Sequence, residues 1–253
     1  NAWAEANPAL ALELKGYIDG TLPAIDYAAV AHKANISTRQ ASSDMLSVLA
    51  EKVGNMIVAS ADLANSDKTD GFLKKTHALT HGDFTGAFLH AGVSELAMAS
   101  IINGIVLHGG MYAACGTFFV FSDYMKPAIR LAALMELPVK YIWSHDAFRV
   151  GEDGPTHQPI EQEAQLRLME QIRNFSGRPS MLVLRPADSA ETSIAYKMAM
   201  ENKYTPTALI LSRQDLKDLP APEGTTRIEA AEGITRGGYT AIPVEGTPDV
   251  VLV

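Results

Sequence analysis

Pro138-Val-Lys-Tyr-Ile-Trp143 runs through Ser144 into His145-Asp-Ala-Phe-Arg-Val-Gly-Glu-Asp-Gly-Pro-Thr-His-Gln-Pro159. The first part is short, apolar, β-branched and aromatic, and reads as a buried strand. The second part holds two histidines, three carboxylates and an arginine, and is broken by Gly151, Gly154, Pro155 and Pro159. Such a segment is neither a helix interior nor a central strand. A loop dense in ionisable groups behind a buried strand is where a parallel-sheet protein keeps its chemistry. The competing reading is a solvated surface loop, which the histidines and the rigid Gly-Pro punctuation disfavour.

Strand and helix patterns alternate on both sides of this segment. The first thirty-odd residues read as a helical, acidic connector that pauses at Gly20, Leu22 and Pro23. Thr38–Val53 carries Met45, Leu49 and Val53 at helical spacing, with Ser37 or Thr38 as cap. Met56–Ala61 reads as a strand, 65–82 as a long polar loop, and Val93–Leu107 as an apolar helix stopped by His108-Gly109-Gly110. Tyr112–Val120 reads as a strand, Pro127–Leu137 as a helix begun by proline, and Val139–Trp143 as a strand. Beyond the loop come a helix near Ile160–Ile172, a strand Ser180–Leu184, a helix Glu191–Met200 and a strand Thr207–Leu211. Unbroken apolar strands alternating with helices predict an α/β fold: an open, mostly parallel sheet with helices on both faces. Pro220, Pro222 and Gly224 mark a linker, and Arg227–Val253 reads as short strand-like pieces opening a further domain.

Composition narrows the function classes. The 253 residues are 47% apolar and 20% charged, as in a soluble globular protein. A net charge of −8 argues against nucleic acid or an anionic membrane as partner, while leaving room for a local anion pocket. Cys115 is the only cysteine, so no internal disulfide forms and a cytoplasmic location is expected. No apolar run approaches the roughly 20 residues that span a bilayer.

Ligands in such a sheet bind beyond the carboxyl ends of the strands. The residues there are Asp62, Asn65 and Ser66; Phe118, Phe121, Ser122, Asp123 and Tyr124; His145, Asp153 and His157; Arg185 and Asp188; and Ser212, Arg213 and Gln214. An aromatic cluster, a histidine and an arginine at successive strand ends suit a flat ring together with an anionic, hydroxylated substrate. Taken singly, each has a structural alternative. The phenylalanines read as core, Arg185 as a helix cap or a partner of Asp188, and Glu95 as a favourable charge at a helix N-terminus. His77 and His81 have metal-ligand spacing on a helix but no third ligand.

Together, several stretches resemble the central, pyrimidine-binding domain of transketolase, a thiamine-diphosphate enzyme. They are Thr38-Arg39-Gln40-Ala41-Ser42, Ser60-Ala61-Asp62-Leu63 with Ser66, Gly92–Met98, Thr117–Tyr124, His145-Asp146, Gly151–Gln158, Arg185-Pro186-Ala187-Asp188 and Leu211–Gln214. The resemblance covers roughly residues 36–215, and its most specific parts are the Gly-Glu-Asp-Gly-Pro-Thr-His loop and the Arg-Pro-Ala-Asp turn. It implies that residues 1–35 are a connector from a diphosphate-binding domain, that 36–215 are the pyrimidine-binding domain, and that 216–253 open a C-terminal domain.

The resemblance also implies roles. Glu95 is the family's glutamate that hydrogen-bonds the aminopyrimidine and promotes its imino form. Phe121 stacks on the pyrimidine, Phe118 and Tyr124 complete the pocket, and Asp62 is a carboxylate near the cofactor. His157 contacts the donor's carbonyl end, which makes it catalytic with Glu95, and Asp153 reads a sugar hydroxyl. Arg39, Ser66, His145 and Arg185 hold the terminal phosphate of a sugar phosphate. The family commonly has arginine before the glutamate and histidine after it, where this chain has Ser94 and Leu96. The Gly-Asp-Gly and downstream asparagine that bind Mg2+ or Ca2+ and the diphosphate occur nowhere in the chain. The resemblance therefore implies half an active site, completed by the diphosphate-binding domain of another subunit in a homodimer, and inactive alone. A subunit of a split transketolase, a non-catalytic module that kept the fold, and a dihydroxyacetone synthase are the alternatives.

Overall fold

The computed structural model describes residues 2–251. Two helices, α1 (Ala2–Ala6) and α2 (Pro8–Ile18), lead through an extended stretch with one 3-10 turn to α3 (Thr38–Lys52). Then follow β1 (Met56–Ser60), α4 (Ala64–Asp67), α5 (Asp70–Leu73), β2 (Phe88–His90), α6 (Glu95–His108), β3 (Tyr112–Phe118), α7 (Ser122–Leu134) and β4 (Lys140–Ser144). The loop after β4 leads to α8 (Gln162–Gln171), β5 (Leu182–Leu184), α9 (Ser189–Glu201), β6 (Thr207–Ile210) and α10 (Arg227–Ala231).

Among the described residues, six strands form one sheet in the order β2-β1-β3-β4-β6-β5, and every pairing is parallel. One face is covered by α6, α7 and α8 through Met98, Ile102, Met125, Ile129 and Leu166. The other is covered by α3, α5 and α9 through Met45, Leu49, Phe72, Tyr196 and Met200. Burial on both faces explains why β4 is buried at all five positions, the polar Lys140 and Ser144 at its ends included. The predicted fold class is the observed one.

Several elements differ from the sequence reading. Helix α7 begins at Ser122, and Pro127 lies inside it. The proline removes only the bond to the carbonyl of Asp123, near the helix start, while Met125 buries its side chain and its sulfur accepts from the Trp143 indole at 3.4 Å. The stretch read as a long polar loop contains α4 and α5, because Phe72 is buried and Gly71 packs where a Cβ would meet the Ser43 carbonyl at 2.3 Å. The three-residue strand β2 is too short for a periodic signal. The strand-like pieces expected after Arg227 are instead α10, held by a Thr226/Glu229 capping box, and a 3-10 turn over Glu232–Arg236. Residues 237–251 contain no strand, and Leu252 and Val253 of the expected terminal strand lie outside the described residues.

Candidate functional site

The parallel register aligns the carboxyl ends of the strands on one edge of the sheet. Asp62 follows β1, Phe118 ends β3, His145 follows β4, Arg213 lies beyond β6 and Arg185 follows β5. At about 4.8 Å per strand, the β3 end and the β5 end lie roughly 14 Å apart, enough for a small ring and an extended sugar side by side.

At the β1–β3 end, Ala61, Leu63, Val93, Glu95, Phe121 and Tyr124 line an open recess of ≈ 460 Å³. Glu95 is the first residue of α6 and only 8% exposed. Its carboxylate has no hydrogen-bond or ion-pair partner among the described residues, and its oxygens open onto the recess, where a ligand can meet them. Phe121 and Tyr124 stack at 6.0 Å between ring centroids, with Tyr124 at the open side. Phe118 is not among the lining residues; it stacks on Phe121 at 5.9 Å and lies one ring deeper. An apolar slot with one buried carboxyl group and an aromatic wall fits a flat heterocycle whose ring nitrogen faces Glu95. Asp62 is exposed at the rim, in a left-handed backbone conformation.

His145 sits at the centre. Its ring stacks on Phe118 at 3.6 Å, and Nδ1 faces the Ser144 hydroxyl at 3.0 Å. Its φ of +59° is costly for a residue with a Cβ, and such conformations persist where the surrounding packing over-determines them. Burial, followed by the charges of Arg39, Arg213 and His157, pushes its pKa down to about 3. The ring is therefore neutral, and its 3.9 Å approach to Asp153 is not an ion pair. His157 hangs edge-on over Phe121 at 5.3 Å, with Nδ1 2.8 Å from the Thr156 hydroxyl. It stands between the recess and His145.

Two arginines flank the histidines. Arg39 donates to the Ser66 carbonyl at 2.7 Å, and its buried Nε has no hydrogen-bond partner. Burial and the nearby Arg213 charge lower its pKa. Its helix start is stapled to the β6 end by Thr38 and Ser212, which exchange bonds of 3.0 Å and 2.8 Å. Arg185 pairs with Asp146 at 3.0 Å and with Glu163, rather than with Asp188. Asp188 instead caps α9 and binds Arg227 at 2.6 Å.

Two residues, Asp67 and Glu163, escaped the sequence reading, and a third, Arg213, stood among the strand-end residues without a role. Arg213 places Nε 2.9 Å from Asp153 and also pairs with Glu152, so it positions both acids of the loop. Asp67 is fully buried under the strand ends, bonded by Ser60 and Thr69, and burial raises its pKa to about 6. Glu163 covers Arg185 from α8. Arg213 lies at a strand end, which was its signal; Asp67 closes α4 and Glu163 lies on α8, and neither offered one. Among the described residues no cluster of three or more His, Cys, Asp or Glu is placed to hold a metal ion, and no helix is long and apolar enough to cross a membrane. A second, apolar groove of ≈ 560 Å³ between α7 and α8 contains none of these groups.

Residues 34–218 match the family model described as transketolase, pyrimidine binding domain. A transketolase of Halalkalibacterium halodurans is 42% identical over 254 residues, covering 99% of this chain and 36% of the relative. The chain thus spans about a third of the length of the transketolases from Halalkalibacterium halodurans and Geobacillus stearothermophilus. Among solved structures, a Pichia stipitis transketolase in complex with sedoheptulose-7-phosphate is 37% identical, with a TM-score of 0.82 over 96% of this chain and 35% of that one. A split gene transketolase, solved as an inactive beta4 tetramer, is 27% identical, with a TM-score of 0.57 over 75% of this chain and 55% of that one. By sequence over nearly its whole length and by fold, the chain belongs to the transketolase family.

Proposed function

We propose that the chain supplies the pyrimidine-binding half of a transketolase active site, which moves a two-carbon ketol unit from a ketose phosphate to an aldose phosphate in pentose phosphate metabolism. The observation that carries this reading is Glu95, a largely buried residue whose unpaired carboxylate opens onto a recess walled by Phe121 and Tyr124. Thiamine diphosphate bound there supplies the nucleophilic carbon on which the transferred unit travels. Glu95 would hold the cofactor by a hydrogen bond to a pyrimidine nitrogen, the contact that supports the ring's role as internal base. Phe121 and Tyr124 would hold the ring by stacking, with Phe118 behind Phe121 and Asp62 at the rim of the recess.

His157 stands nearest the reacting end of the sugar, and Asp153, braced by Arg213, accepts from a sugar hydroxyl. Arg39, Ser66, His145 and Arg185 take the terminal phosphate, with His145 acting as a neutral donor and the two guanidinium forks supplying the charge. The diphosphate and its Mg2+ or Ca2+ belong to the diphosphate-binding domain of another subunit, in a cytoplasmic homodimer. The 253-residue chain with cofactor and magnesium is accordingly expected to show no transfer by itself.

The test is Glu95→Ala in the complete enzyme, read by hydrogen–deuterium exchange at the thiazolium carbon. Exchange drops to the rate of the free cofactor if Glu95 has this role; exchange at the unmutated rate refutes it. The likeness to the split gene transketolase favours a second reading, in which the diphosphate-binding half is a separate polypeptide. The intact mass of the native protein, compared with its open reading frame, separates the two.

A further inference from the structure

Arg185, assigned above to the sugar phosphate, already carries two carboxylates. Nη2 donates to Asp146 Oδ2 at 3.0 Å, and Nη1 donates to Glu163 Oε2 at 2.5 Å. The two acids are not equivalent. Asp146 has a side chain 6% exposed and is anchored by the Phe148 N–H at 3.1 Å, which makes it a fixed part of the site. Glu163 lies in the first turn of α8 with a third of its side chain exposed. Its other oxygen, Oε1, is 3.6 Å from Arg167 Nη2, one turn along the same helix. Arg167 is half exposed and also pairs with Glu170 at 2.9 Å.

A guanidinium reads phosphate best through two parallel N–H bonds. In this arrangement an arriving dianion meets a filled donor and a second negative charge. Glu163 has an alternative cation within reach, so it can leave without remaining unpaired. Asp146 has none.

We propose that Glu163 is a specificity-determining residue: a displaceable counter-ion that shields Arg185 until a sugar's terminal phosphate arrives, and then passes to Arg167. It weakens the preference for phosphorylated over unphosphorylated sugars that Arg185 alone would set. The inference rests on reading Arg185 as a phosphate ligand.

The experiment compares KM and kcat of the complete thiamine-diphosphate-loaded enzyme for a ketose phosphate and for the unphosphorylated ketose of the same chain length. Glu163→Gln lowers KM for the phosphate about threefold to tenfold, and leaves kcat and the unphosphorylated ketose unchanged. Arg167→Gln acts in the opposite direction, because Glu163 then has nowhere to go. The double variant behaves like Glu163→Gln alone. Glu163 acting only as a favourable charge at the start of α8 would shift neither KM selectively. The proposal is overturned if Glu163→Gln leaves the phosphate KM unchanged or moves both KM values equally. Arg185→Ala separates the two failures. If it raises only the phosphate KM while Glu163→Gln is silent, the phosphate site stands and the counter-ion role falls. If Arg185→Ala is unselective, the phosphate reading falls and takes this inference with it.

Discussion

His145 stays neutral inside the folded chain, and this has a measurable cost in acid. Its ordinary value of 6.5 falls to about 3, chiefly through burial. The folded value is the lower one, so between these limits the unfolded chain binds a proton that the folded chain does not. The contribution of His145 to stability is complete above pH 6.5 and is lost as the pH falls toward 3. At pH 5.5, one unit below 6.5, the unfolded imidazole is about nine-tenths protonated, which favours unfolding by about 1.4 kcal/mol; at pH 7.5 the effect is below about 0.1 kcal/mol.

The matching perturbation is His145→Asn, since asparagine tolerates the left-handed backbone that this position requires, with φ at +59°. Urea unfolding followed by circular dichroism at both pH values gives the stability lost on acidification by each protein. The wild type should lose about 1.4 kcal/mol more than the variant. Asp67, raised to about 6, acts in the opposite sense, because a carboxyl group with a raised folded value gains stability as the pH drops. It is present in both proteins and cancels in the difference. Equal losses in the two proteins would mean that the ring is not held neutral, and the account of the site's electrostatics would fail.

Three other outcomes follow from the packing. Gly116→Ala places a Cβ 2.5 Å from Thr69 Cγ2 and 3.0 Å from Asp67 Oδ2 and should destabilise by about 1–3 kcal/mol; an unchanged urea midpoint would show that the β3 end has slack. Arg227→Met strands Asp188, which is 1% exposed, and Glu191, at a cost of about 3 kcal/mol in calorimetric stability; a loss below about 1 kcal/mol would mean that water replaces the arginine. Arg213→Met removes the cation that holds Asp153 and Glu152 and should lower kcat/KM of the complete enzyme by about tenfold or more; an unaltered value would make the pairs incidental.

Legibility in the sequence followed the length of each signal. Strands β3 and β4 and helix α6 are long, apolar and bounded by glycine or proline, and they were readable to within a residue or two. The start of α7 was misplaced because Pro127 is a common helix opener, and only the packing of Met125 beneath Trp143 shows that the helix has already begun. The apolar valines near the C-terminus carry strand propensity, yet Val244, Val250 and Val251 are exposed and find no neighbouring strand. The loop after β4 drew attention by its composition, whereas Glu95, by its place alone a favourable helix-start charge, was singled out only by the resemblance. Arg213 stood in view without a partner to give it meaning.

The one-dimensional pattern was enough for the α/β class, the parallel sheet and the family. Each depends on local periodicity or on contiguous residues, and local order survives in a linear string. The tertiary structure alone showed that Glu95 is largely buried with its carboxylate unpaired, that burial lowers the pKa of His145, that Arg213 braces Asp153 and that Glu163 lies on Arg185. These properties depend on distances between segments far apart in the chain, such as Thr38 and Ser212, 174 residues apart and joined at 3.0 Å. Burial and pairing at such points arise from the folded register of the whole sheet, and no short window of sequence contains it.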